Sequence, residues 1–377
     1  MASPSATASV SISSSDSSAR QANVTGKIQY LDVYRAFAIL AVILIHATAY
    51  AIGTLPQDDP WYPAYLIVNA ASYFAVPSFL FLSALVHFYN YDGRSGIHWG
   101  TYYRKRLLSI VLPYVAWSIF YYLFVSRIQG VSPMDRIPDF FEGLLYGNNY
   151  PHLYFIAIMI QFFIVFPLFL ALVRLRWVRA NLIWIGIALQ IAFYLSNYYV
   201  FHMTRTGVFI GSYMLYLFLG AYAGIRLKSG KSISVPGRKI VLSSALLLGV
   251  AYVGQVAMLK YEPSYLEQPY RSWVNFALTY GYCSLCCFAL ICVSMWVHGR
   301  GGLLTKALTS IGVASFGIYF FHPFVLYLWR DKVMQNFPSY FELLLWASAV
   351  VALVASWLFV AMVKKSRMAS IVLVGER

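Results

Sequence analysis

The sequence predicts an all-α membrane protein, a polytopic bundle of about ten transmembrane helices with both termini cytoplasmic. Three observations predict it. The 377 residues are 60% hydrophobic and only 11% charged, whereas ordinary globular domains carry about 25% charged residues. Apolar runs of about 20 residues recur along the chain, and a helix of that length both crosses a bilayer and satisfies its own backbone in lipid. The basic residues also alternate between connections: of 28 Lys and Arg, 20 fall in the connections assigned inside and seven in those assigned outside, with Arg35 in a helix. That asymmetry is the positive-inside signal. It accounts for the net charge of +15 as membrane topology and leaves no need for a nucleic-acid partner.

In chain order, residues 1–26 are rich in Ser and Ala, lack an apolar core, and read as a disordered cytoplasmic tail, not a signal peptide. The membrane domain follows at 27–364. Its segments are 28–53, 62–89, 104–126, 151–173 and 180–200, then 206–226, 239–259, 272–297, 307–329 and 341–363. The first is apolar without a break from Ala36 to Ile45, and the third begins on Arg104-Lys105-Arg106. The ninth contains His322-Pro323, where a kink is expected, and the tenth stops at Lys364-Lys365. The connections are short except 127–150, whose MDRIPDFFEGLLYG reads as an interfacial amphipathic helix. Cys283, Cys286, Cys287 and Cys292 share one apolar segment with no His or carboxylate beside them. They read as packing residues, not as a disulfide framework or a metal site. Residues 365–377 read as a short basic cytoplasmic tail.

The residues that carry chemistry begin in the first segment, IQYLDVYRAFAILAVILIHATAYAIG. Ionisable side chains inside a membrane helix are costly and face a cavity or a partner. Arg35 and His46 stand eleven positions apart. At 100° per residue they return to within roughly 20° of one face, roughly 16 Å apart along the axis. Both therefore look into one crevice at two depths. Asp32, three residues before Arg35, can hold the guanidinium. The predicted topology puts Arg35 and the run Arg104-Lys105-Arg106 toward the cytoplasm, and His46, His152 and His322 toward the outer side. Basic groups below suit an anionic ligand from the cytoplasm, and imidazoles above suit proton transfer. Plainer readings stand beside these: Arg104–Arg106 as a positive-inside stop, His152 as a cap of the outer mouth, His322 as a partner for carbonyls freed by Pro323.

At these residues the chain resembles the acyltransferase-3 family of integral-membrane O-acyltransferases. The resemblance runs through YLDVYRAFAILAVILIH, FAVPSFLFLSALV, YYRKRLLSIVLPYVAWS, and the pair HLYFIAIMI and SFGIYFFHPFVL, and covers nearly all of 27–364. Two departures stand out. Ser109 follows Arg106 by three positions where the family often has a second Arg, and Ala84 replaces a Gly after Ser83. The resemblance implies a standalone enzyme of a bacterial plasma membrane that acylates envelope or exopolysaccharide carbohydrate. The donor would be cytoplasmic acyl-CoA, acetyl-CoA in the expected case, used as a co-substrate with no bound cofactor. On this reading His46 is the general base, with Arg35 and Asp32 in the catalytic crevice. Arg104, Lys105 and Arg106 meet the donor phosphates, while His152 and His322 line the side of a glycan or lipid-linked sugar. The alternative is an exporter of polysaccharide or lipid-linked glycan. Such a transporter would show an internal repeat, and the sequence has none that stands out.

Overall fold

The computed structural model describes residues 28–231 and 235–376. The tail assigned to residues 1–26 lies outside the described residues. Among the described residues there is no strand, and ten helices are long and apolar enough to span a membrane. They are α1 Tyr30–Thr54, α2 Tyr62–Tyr91, α3 Trp99–Gln129, α4 Tyr154–Arg174 and α5 Leu182–Phe201. The second five are α6 Ile210–Lys228, α7 Gly237–Tyr261, α8 Tyr270–Arg300, α9 Gly302–Asn336 and α10 Pro338–Val363. The predicted all-α bundle of about ten membrane-length helices is the observed one. With ten spans, α1 begins and α10 ends at the same face. We call it the basic face, because Arg104–Arg106, Arg179, Lys306 and Lys364 lie at the helix ends there.

α1 is the centre of the bundle. Its buried residues, among them Leu31, Tyr34, Ile39, Ile43, Ala47 and Ala51, lie on every side of the helix, and a helix that is apolar all round is one enclosed by others. α2, α8, α9 and α10 pack around it. Two close approaches set this packing. At Gly312 of α9, a Cβ would collide with the carbonyl oxygen of Asp32, so the two backbones touch. Gly220 and Gly224 of α6 leave the same kind of space for the carbonyls of Phe81 and Leu85 in α2. Small residues four apart are the usual means by which membrane helices approach without a hydrophobic driving force.

Local causes interrupt α2 and α3, while α9 runs on through an interior proline. α2 turns at residues 72–74, before Pro77. There Tyr282 Oη donates to the Ala71 carbonyl at 2.6 Å, and Asn69 Nδ2 ties the first half of α2 to Ile45 O and Thr48 Oγ1 of α1, both at 3.0 Å. α3 widens into a π turn at Leu107–Val111, just ahead of Pro113, whose missing N–H breaks the regular ladder. α9 carries Pro323 in its interior; one turn back, Tyr121 Oη donates to the Phe320 carbonyl at 2.7 Å.

The connection 127–150 contains the expected helix, Ile137–Tyr146, with Phe141 and Leu145 exposed and Tyr114 Oη bonded to its Leu144 carbonyl at 2.6 Å. The basic face differs from the sequence reading in two respects. The stretch 298–306, read as a connection, is helical but for Gly301, which has φ +65°, so α8 and α9 meet almost directly. Residues 365–376 do not hang free. After Ser366 they form a short helical stretch that folds back among α3, α9 and α10, where Trp117 Nε1 donates to Leu373 O at 2.9 Å and Val374 is buried. Apolar Ile371, Val372, Leu373 and Val374 would gain nothing from water, which is why this end inserts.

Candidate functional site

α1 brings His46 to the half of the bundle away from the basic face. The turn ahead of α4 brings His152, and α9 brings His322. The three rings gather there, with centroids 5.3 Å apart for His46 and His322, 5.8 Å for His152 and His322, and 6.5 Å for His46 and His152. His152 and His322 are almost wholly buried; His46 is half-buried and faces a cavity. His322 Nδ1 donates to the Ile318 carbonyl at 3.0 Å, which leaves its Nε2 as a buried lone pair without a protein partner. Neither nitrogen of His152 has a hydrogen-bond partner. Tyr121 and Tyr319 wall the group, and the Tyr319 hydroxyl holds the His152 carbonyl. Among the described residues no cluster of His, Cys, Asp and Glu has the arrangement of a metal site.

His46 and His152 line a cavity of about 640 Å³ together with Tyr73, Tyr154, Tyr213, Tyr280, Ser212 and Asn275. Among the described residues, no Asp, Glu, Lys or Arg lines it. A second cavity, of about 290 Å³, lies toward the basic face. It is lined by Arg35, Arg106, Ser83, His87 and Ser315 over an apolar wall that includes Phe79, Phe155 and Met159. Tyr319 lines both cavities. The two spaces thus meet at one side chain, cationic on one side and uncharged, aromatic and hydroxyl-rich on the other.

Arg35 is held by Asp32 at 2.6 Å, with Asp32 buried and Arg35 about a third exposed. The carboxylate fixes one edge of the guanidinium and leaves donors for the cavity. Of the basic run on α3, only Arg106 reaches the cavity; its guanidinium lies 5.3 Å from the Tyr102 ring and 5.0 Å from that of Phe163. Arg104 and Lys105 are exposed and line neither cavity. So the structure groups His46, His152 and His322 at one depth, and Asp32, Arg35 and Arg106 at the other.

Sequence reasoning passed over three residues here. Arg330, counted among the outer connections, lies in α9; it donates to the His46 carbonyl at 2.5 Å and stacks over Tyr50 at 4.6 Å. His87, on α2, sits buried in an aromatic cage and lines the Arg35 cavity. Tyr319 lines both cavities where they meet. Only the spacing of Tyr319 three positions before His322 offered a local signal; the other two contacts join residues far apart in the chain.

The model of the acyltransferase-3 family, described as an acyltransferase domain, matches residues 28–363. No curated protein and no solved structure matches the chain.

Proposed function

The chain belongs to the acyltransferase-3 family and is a membrane-bound acyltransferase; on that premise we propose that it moves an acyl group, acetyl in the simplest case, from acyl-CoA to a hydroxyl of an envelope carbohydrate. The basic face is then the cytoplasmic one. The observation that carries this reading is the pair of unlike cavities that meet at Tyr319, with His46 beside the junction.

A coenzyme A thioester has phosphates at one end and a thin, amide-bearing arm at the other. Arg35 and Arg106 supply the planar, bidentate donors that phosphate takes best. A space of about 290 Å³ with apolar walls accommodates the arm but not the whole nucleotide, so the nucleotide stays at the basic face and the thioester points toward Tyr319. From the opposite side the larger cavity offers aromatic faces for the CH surfaces of a sugar ring, and hydroxyl and amide groups for its hydroxyls. The absence of lining charge there favours an uncharged sugar residue.

His46 accepts the proton of the acceptor hydroxyl as its oxygen attacks the thioester carbon. The tetrahedral adduct then collapses: the carbon–sulfur bond breaks, the thiolate leaves, and the imidazolium returns the proton to sulfur. His322 stands 5.3 Å away, centroid to centroid, with its free Nε2 lone pair. It can receive a hydrogen bond from the His46 ring and so orient the base, the part a carboxylate plays in other sites.

The test is acyl transfer by purified protein in liposomes, read as thiol release that requires an oligosaccharide acceptor. His46→Gln preserves size and hydrogen bonding but cannot take a proton. Its rate is expected to fall on the order of 10²–10⁴-fold, with thermal melting unchanged. A variant that transfers at close to the wild-type rate removes His46 from the role of base.

A further inference from the structure

A third cavity, of about 690 Å³, opens at the basic face on another side of α9, between the start of α1 and the ends of α8 and α10. Its lining changes with depth. Lys306 and Lys364 stand at the mouth, Thr309 and Ser310 form a hydroxyl shelf one turn in, and Val313 and Val360 wall the floor. From Lys306 to Val313 is seven residues of helix, a depth of roughly 10 Å. Trp357, whose Nε1 donates to Ser310 Oγ at 3.0 Å, closes the deep side and is itself partly exposed. Lys364 also pairs with Glu376 at 2.8 Å, a carboxylate that does not line the cavity. Asp32 lines this cavity too, with its carboxylate bonded to Arg35 at 2.6 Å.

Such a gradient fits a molecule with an anionic end at the membrane boundary and an apolar end inside. An aqueous metabolite would leave the floor unused, and a neutral acyl chain would leave the Lys306 ammonium unmatched. We propose that this cavity is a binding site for an anionic phospholipid of the leaflet at the basic face. Its phosphate bonds to Lys306 and Lys364, and an acyl chain lies against Val313 and Val360. Basic recesses between membrane helices are a known way to hold such headgroups, and charge complementarity with the two lysines that line the mouth is what selects an anionic lipid here.

Purified, delipidated protein is titrated with phosphatidylglycerol or phosphatidylcholine of matched chains, and bound lipid is counted by native mass spectrometry. Phosphatidylglycerol is expected to be retained over phosphatidylcholine, and this preference is expected to drop by about fivefold for each lysine removed in Lys306→Gln and Lys364→Gln. Glu376→Gln breaks the same ion pair as Lys364→Gln but spares the lysine, and is expected to keep the preference. That separates binding from a fold held by the pair. Ala361→Phe, which fills the cavity floor and leaves both lysines, is expected to reduce retention of either lipid. Coenzyme A supplies phosphate from the other source. It is expected not to displace phosphatidylglycerol; displacement would assign the cavity to the donor nucleotide and overturn the proposal. Equal retention of the two lipids by wild-type protein, or an undiminished preference in the double lysine variant, would overturn it too.

Discussion

Arg104 and Arg106 sit two positions apart, yet one faces away from the bundle and the other faces the Arg35 cavity across two aromatic rings. A step of two residues turns a helix by about 200°, so the pair cannot share one role. A charge-assisted hydrogen bond contributes about 1.5–3 kcal/mol, which is about a 10–100-fold effect on binding. Arg106→Gln is therefore expected to raise the KM for acyl-CoA by at least about tenfold. Arg104→Gln is expected to leave it within about twofold, since an exposed charge contributes little. Steady-state kinetics of the purified variants decide it; equal effects at the two positions would remove Arg106 from the donor site. Arg35→Lys belongs to the same comparison. Lysine keeps the charge beside Asp32 but loses the planar fork, so acyl-CoA use is expected to weaken while the protein still inserts and melts normally.

At the scale of the element, α9 carries more of the site than any other helix: Gly312 against α1, then Tyr319, His322 and Arg330. Its register against α1 sets the relation of His322 to His46, and Gly312 sets that register by letting the two backbones touch. Gly312→Val must push α9 away from Asp32. Overpacking of this kind costs typically 1–3 kcal/mol, and here it should also part the imidazoles. The variant is expected to melt earlier and to lose transfer out of proportion to its loss of folded protein. Gly254→Ala, on α7 where nothing lies within 4 Å of an added Cβ, is expected to melt like the wild type. Thermal melting in detergent beside specific activity checks both, and a Gly312→Val protein as stable and active as wild type would mean that the contact is not tight in the membrane.

For the whole molecule, the question is which face lies inside. Ten spans place the connection around Asp58 at one face and that around Lys231 at the other; Lys260, at the far end of α7, returns to the side of Asp58. Together with the 20-to-7 division of basic residues, this predicts Asp58 and Lys260 outside and Lys231 inside. Single cysteines at these positions, reacted with a membrane-impermeant thiol reagent in intact cells, are expected to label at 58 and 260 and stay silent at 231. The four native cysteines are buried and give little background. Labelling of 58 and 231 from the same side would sink the topology.

By itself the sequence determined the all-α class, the ten spans and the shared helix face of Arg35 and His46, although the single crevice expected along that face is two cavities, one lined by His46 and the other by Arg35. Each of these depends on neighbours along one chain segment: apolar length against bilayer thickness, and a 100° step that repeats regardless of what packs outside. The helix at 137–146 was legible for the same reason. What only the tertiary structure decided is which distant residues meet. The grouping of His46 with His152 and His322, and the reach of Arg330 back to the His46 carbonyl, join positions separated by more than a hundred residues. The choice of Arg106 over Arg104 and Lys105 was set by the azimuth of α3 against α4, and the insertion of residues 367–374 by a gap that exists only once α3, α9 and α10 have packed. Hydropathy and period describe a helix in isolation. They do not encode its rotation or its partners, because those are fixed by side-chain shape and close backbone contact between helices, as at Gly312 and Asp32.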